Sequence, residues 1–202
     1  MDFNTVTQFE QRLAEFWAAP HAVAVDSCTH AIELCLRLQQ IQHTAIPNRT
    51  YVSVPMTLIK LGIKWHFRRH DWRELYQLEN TNIVDAAPFW YQGAYFPGMW
   101  QCVSFQYNKA LRLGRGGAIL LDDAAAATQL RRMAYDGRDR TRPWREQQFD
   151  TMGYHYYMTP ETAQRGLELI DHVDLTQVPH WGSSDYPDLS EMPVFKHIDI
   201  YD

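Results

Sequence analysis

Lysine is scarce in this chain. Only Lys60, Lys64, Lys109 and Lys196 occur among 202 residues, and the other basic positions are arginine. Cysteine is scarcer still: Cys28, Cys35 and Cys102 are odd in number and show no C-x-x-C spacing, which argues against a disulfide framework and a zinc knuckle and favours a reducing setting. No apolar run approaches the roughly 18 residues of a membrane span, and Met1-Asp2-Phe3-Asn4 opens neither a basic nor an apolar leader region. A cytoplasmic protein with no membrane partner is the expectation. A basic stripe is also missing: the net charge is −5 with both signs interleaved, so nothing supports a nucleic-acid partner. His66 and His70 have the i,i+4 spacing that would pair them on a helix but lie at the end of a strand-like run, so no metal site is expected.

The chain contains enough apolar material, 46% hydrophobic and 13% aromatic residues, for one core burying roughly two thirds of the unfolded surface. A single α/β domain is expected over residues 1–176. An irregular tail, carrying Pro179, Pro187 and Pro193, is expected over 177–202.

Val6, Phe9, Leu13, Phe16 and Trp17 recur at helical spacing over about 5–18, with Gln8, Glu10, Gln11 and Glu15 on the other face. Ala22-Val23-Ala24-Val25 reads as a buried strand, Asp26-Ser27-Cys28-Thr29 as a polar turn, and the next residues as a helix. A second helix is expected from about Val54 to Leu61, with Gly62 just past its end. Strands are expected near 63–67, 82–85, 100–105 and 118–121, and further helices over 122–135 and from Thr159 to about His172. The arginine-dense stretch 136–145 reads as a mobile surface loop.

Lys109 stands out because it lies between the strand-like Ser104-Phe105 and the glycine-rich Gly114-Arg115-Gly116-Gly117. It is a candidate Schiff-base lysine. Asp85 closes an apolar strand 24 residues earlier and is either the carboxylate partner of a ring nitrogen or a turn aspartate. Ser27, Cys28 and Thr29 open a helix, where free N–H groups and the positive dipole end suit an anion, although an ordinary helix cap has the same residues. Tyr51 offers a flat ring, and Ser104 a hydroxyl five residues before the lysine. An imine lysine, a carboxylate, an aromatic face and phosphate donors make up the set that holds pyridoxal phosphate.

Their order and local text resemble the DegT/DnrJ/StrS family of sugar aminotransferases from about residue 5 to 172. A family motif like A-V-A-V-N-S-G-T-A-A-L is similar to residues 22–32, and V-P-x-x-T-F-V-A-T resembles 46–54. E-D-A-A-Q resembles 84–88, S-F-x-x-x-K resembles Ser104 to Lys109, and G-Y-N-Y-R-M-S resembles 153–159. The resemblance implies a compact, reduced fold type I large domain, with a mostly parallel central sheet flanked by helices and the C-terminal small domain largely absent. It implies an aminotransferase that uses pyridoxal 5'-phosphate to move an amino group from a glutamate-like donor to a keto sugar nucleotide or other small carbonyl acceptor. Lys109 and Asp85 are the catalytic residues it implies, and Ser27, Cys28, Thr29, Tyr51 and Ser104 join them as cofactor contacts. His155, at the family's asparagine position, is implied to reach the cofactor phosphate of the other subunit in a homodimer with shared sites. Cys28 stands where the family has glycine, and Pro88 where it has a glutamine that holds the cofactor's phenolic oxygen. These departures leave a second reading open, a noncatalytic cofactor-binding or scaffold protein.

Overall fold

The computed structural model describes residues 2–196, so the last six positions of the expected tail lie outside the described residues. In chain order the elements are α1 (Phe3–Trp17), β1 (His21–Val25), α2 (Cys28–Leu38), β2 (His43–Pro47), α3 (Ser53–Leu61) and β3 (Lys64–Arg68). Then come β4 (Tyr76–Gln77), β5 (Ile83–Asp85), β6 (Trp100–Ser104), β7 (Gly117–Leu121), α4 (Ala124–Ala134) and α5 (Pro160–Leu169). Local chemistry sets several of these ends. Ser27, Asp123 and Thr159 cap α2, α4 and α5 by accepting from backbone N–H groups. Gly62 ends α3 with φ +65°, the left-handed conformation that favours glycine.

The central sheet runs β1-β7-β6-β5-β4, and β2 with β3 forms a separate parallel pair. The α/β class is as expected, but the mostly parallel sheet is not: of four pairings in the central sheet only β5 with β6 is parallel. The reason is the connection between β6 and β7. Residues 105–116 fold straight back, held by Phe105 N–H to Gly116 O (2.9 Å) and Leu113 N–H to Phe105 O (3.0 Å), with Gly114 at φ +82°. A direct reversal makes neighbours antiparallel, whereas a parallel pair needs a crossover. β7 therefore runs against both β1 and β6, while β1, β6 and β5 point the same way.

Helices cover both faces of the sheet, which explains why its strands read as continuous apolar runs. Val23, Val25, Cys102, Ile119 and Leu121 pack into one core with α2 and α4. Ala22, Ala24, Val103, Ala118 and Leu120 pack into the other with α1 and α5. Glu10 departs from its expected place on a polar face of α1. It is 3% exposed, accepts from Ala24 N–H and Arg140 Nη1 (3.0 Å each), and accepts from Arg131 Nε at 2.7 Å. Arg140 is drawn in by that carboxylate and by the Phe3 ring 5.2 Å away, so the arginine-rich stretch is docked at this residue, while residues 141–145 are exposed. Among the described residues no helix is long and apolar enough to cross a membrane.

Candidate active site

Because β1, β5 and β6 run in one direction, the residues that leave their carboxyl ends gather at one edge of the sheet, where open α/β sheets hold ligands. The turn after β1 carries Ser27, Cys28 and Thr29; β5 ends on Asp85; β6 ends on Ser104 and leads to Lys109. All six line one cleft of about 710 Å³, together with Tyr51 from the segment before α3.

Lys109 is buried at 7% exposure, and that burial lowers its pKa from the usual lysine value, partly opposed by Asp85 and Cys28. Its Nζ lies 4.8 Å from the centre of the Trp181 ring. Asp85 is buried as well. Its carboxylate accepts from Tyr76 O–H at 2.9 Å and Ala87 N–H at 3.1 Å, and Tyr76 shares a 2.6 Å hydrogen bond with Thr50. Desolvation outweighs these bonds and raises the Asp85 pKa above the ordinary carboxylate value.

The α2 end of the cleft is held close to the sheet. A Cβ on Gly117 would lie 2.5 Å from Cys28 N and 2.6 Å from the Ser27 carbonyl carbon, so only glycine lets the turn seat there. Ser27 Oγ is engaged as the cap, accepting from His30 N–H at 3.2 Å. Thr29 Oγ1 shares a 2.8 Å bond with Ser53, and the buried Cys28 thiol donates to Cys102 O at 3.4 Å. Burial also raises the Cys28 pKa, which keeps it a protonated packing group. Tyr51 presents a 46% exposed side chain at the rim.

His155 lies apart from these seven residues. It is bridged to Tyr135 just past the end of α4, paired through Nδ1 with Asp136 at 3.0 Å and exposed.

Several lining residues carried no local sequence signal. Leu189 arrives on a short 3₁₀ turn of the C-terminal segment, Trp181 and Tyr186 from either side of another (Ser183–Asp185), and Trp72 from the loop before β4. His30 at the mouth pairs with Asp26 at 2.6 Å and stacks on Tyr156 with ring centres 3.6 Å apart. Two polar atoms of the cleft wall, Asn108 Oδ1 and Trp181 Nε1, are buried without a hydrogen-bond partner among the described residues. An amine, a carboxylate, hydroxyls at a helix N-terminus and two unmet polar atoms fit a planar ligand that carries an anionic group. The fit falls short at Pro88, which lines the cleft and has no N–H to give.

Residues 1–76 and 91–179 match the model of the DegT/DnrJ/EryC1/StrS aminotransferase family. The matched stretches take in Lys109 and the 27–29 turn, and they leave out both Asp85 and Trp181. A curated relative, GDP-perosamine synthase of Caulobacter vibrioides, is 22% identical over 84% of this chain and 57% of its own length. Among solved structures, AtS13 from Actinomadura melliaura superposes with a TM-score of 0.73 at 20% identity, covering 86% of this chain and 61% of that one. The sugar aminotransferase CalS13 from Micromonospora echinospora gives 0.73 at 16% identity, covering 84% and 61%. The chain thus spans about three fifths of the length of the relatives it resembles.

Proposed function

The chain belongs to the DegT/DnrJ/EryC1/StrS aminotransferase family, and from that premise we propose that its cleft binds pyridoxal phosphate and carries out transamination on a small carbonyl compound. The observation that supports this most is the placement of a single buried amine, Lys109, in one cleft with a buried carboxylate and a helix N-terminus.

When bound, pyridoxal phosphate supplies an electrophilic aldehyde and an electron-withdrawing ring. The Lys109 amine is the group that bonds to the aldehyde, and its lowered pKa helps because only the neutral amine is a nucleophile. The same Nζ, buried in the cleft, would be the base available to move the α-proton of an amino donor. Asp85 would hold the ring nitrogen and favour its protonated form, and an opposite charge there would lower the Asp85 pKa that burial raises. The N-terminus of α2, with Thr29 and Ser104, would hold the phosphate, and Tyr51 would supply the aromatic face for the ring. His155 of the partner subunit completes the phosphate site in a homodimer. Residues 1–176 carry the lysine, the carboxylate and the phosphate donors in this reading, with Trp181, Tyr186 and Leu189 of the following segment lining the same cleft, and the location is cytoplasmic.

A glutamate-like donor and a keto sugar nucleotide acceptor are the substrates this reading favours, supported by relatives named as a perosamine synthase and a sugar aminotransferase. Absorbance of the protein loaded with pyridoxal phosphate, before and after glutamate, tests the proposal. A visible band that glutamate bleaches supports transamination; a band indifferent to every amino donor favours the noncatalytic binder that Pro88 leaves open.

A further inference from the structure

Two observations meet at one residue of the C-terminal segment. The ring of Trp181 sits 4.8 Å from Lys109 Nζ, within the range of a cation–π contact, and Trp181 Nε1 is buried with no hydrogen-bond partner among the described residues. We propose that Trp181 is a positioning residue of the cleft: its ring holds the Lys109 ammonium, and its indole N–H is reserved for the ligand that displaces that ammonium. The inference rests on the reading of Lys109 as the cofactor-bonding amine.

Trp181 is fixed in place by its own backbone. Its carbonyl accepts from Glu74 N–H at 2.7 Å. Next to it, Ser183 N–H donates to Trp72 O at 3.0 Å, and Gly182 approaches that same carbonyl so closely that an added Cβ would lie 2.9 Å from it. His180 pairs with Glu74, and Tyr186, 5.8 Å from the Trp181 ring centre, accepts from Arg49 through its carbonyl at 3.0 Å. These contacts fix the backbone that carries the indole, and the Tyr186 ring lies beside it, so Trp181 forms a wall of the cleft. A buried indole N–H without a partner costs free energy, which a bound acceptor atom would recover. The nearby wall residue Pro88 has no donor to offer such an atom.

The test compares Trp181→Phe with Trp181→Leu. Phenylalanine keeps a π face and loses the N–H; leucine keeps apolar bulk and loses both. In the cofactor-free protein, the pH midpoint for reductive methylation of Lys109, mapped by peptide and referenced to Lys196, should be unchanged in Trp181→Phe. It should fall by about half a unit to one unit in Trp181→Leu. Pyridoxal phosphate affinity of Trp181→Phe should fall about fivefold, the worth of one neutral hydrogen bond. Equal midpoints in the two variants overturn the ring contact, because bulk alone would then explain it. Undiminished affinity in Trp181→Phe overturns the N–H role. If the unaltered protein binds no cofactor, the proposed function and the N–H role fail together, while the methylation midpoints still decide the contact with Lys109.

Discussion

Replacing Asp85 with asparagine separates the two meanings of a buried carboxylate at the end of a strand. In the fold, Asp85 accepts two hydrogen bonds, from Tyr76 O–H and from Ala87 N–H. Asparagine can accept the Ala87 bond with its oxygen and donate its amide to Tyr76, whose hydroxyl can turn toward Thr50 Oγ1, 2.6 Å away. Both contacts survive in a neutral form. The sign of the pKa shift points the same way. Burial raises the Asp85 pKa, so the folded protein holds the proton more tightly than the unfolded chain. Stability tied to this group is therefore fully present below the ordinary carboxylate pKa and is lost as pH rises through the raised value. Above that raised value the ionised side chain is a net cost to the fold, and asparagine should leave urea stability within about 1 kcal/mol or increase it. Function should respond oppositely. A charge-assisted hydrogen bond is worth about 1.5–3 kcal/mol, so losing it toward the ring nitrogen should slow the half-reaction with an amino donor by roughly tenfold to a hundredfold. Stopped-flow absorbance measures that rate. Near-normal rates together with a large loss of stability would refute the reasoning and make Asp85 a structural turn residue.

His155→Ala should weaken cofactor affinity without changing which lysine bonds to it, and chains carrying His155→Ala or Lys109→Ala should recover some activity when mixed, as a shared homodimeric site requires; a cofactor-loaded monomer by light scattering would rule that arrangement out. Glu10→Ala should destabilise the fold by about 3 kcal/mol in urea unfolding, because it leaves Arg140 buried without its carboxylate and frees the Ala24 N–H.

Much of this site was legible where chemistry is local. Apolar periodicity and capping residues located α1, α2 and α5, and the text around Ser27, Tyr51, Asp85, Ser104 and Lys109 marked residues that the fold brings to one sheet edge. What was not legible depends on contacts far apart in sequence. The direction of β7 follows from how residues 105–116 fold back, which no strand propensity encodes. Glu10 looked like a surface residue because its partners, Arg131 and Arg140, lie more than 120 positions away. Tyr76 reaches Asp85 through an antiparallel pairing only two residues long. Trp181 and Tyr186 lie in a proline-bearing stretch with no periodicity, and only the fold shows that they form a wall of the cleft.

The most direct test of the central claim is borohydride reduction of the protein after incubation with pyridoxal phosphate, followed by peptide mapping of the retained cofactor. The account predicts stoichiometric label on Lys109 and none in Lys109→Ala. Label on Lys60, Lys64 or Lys196 instead, or no retained cofactor at all, would contradict it.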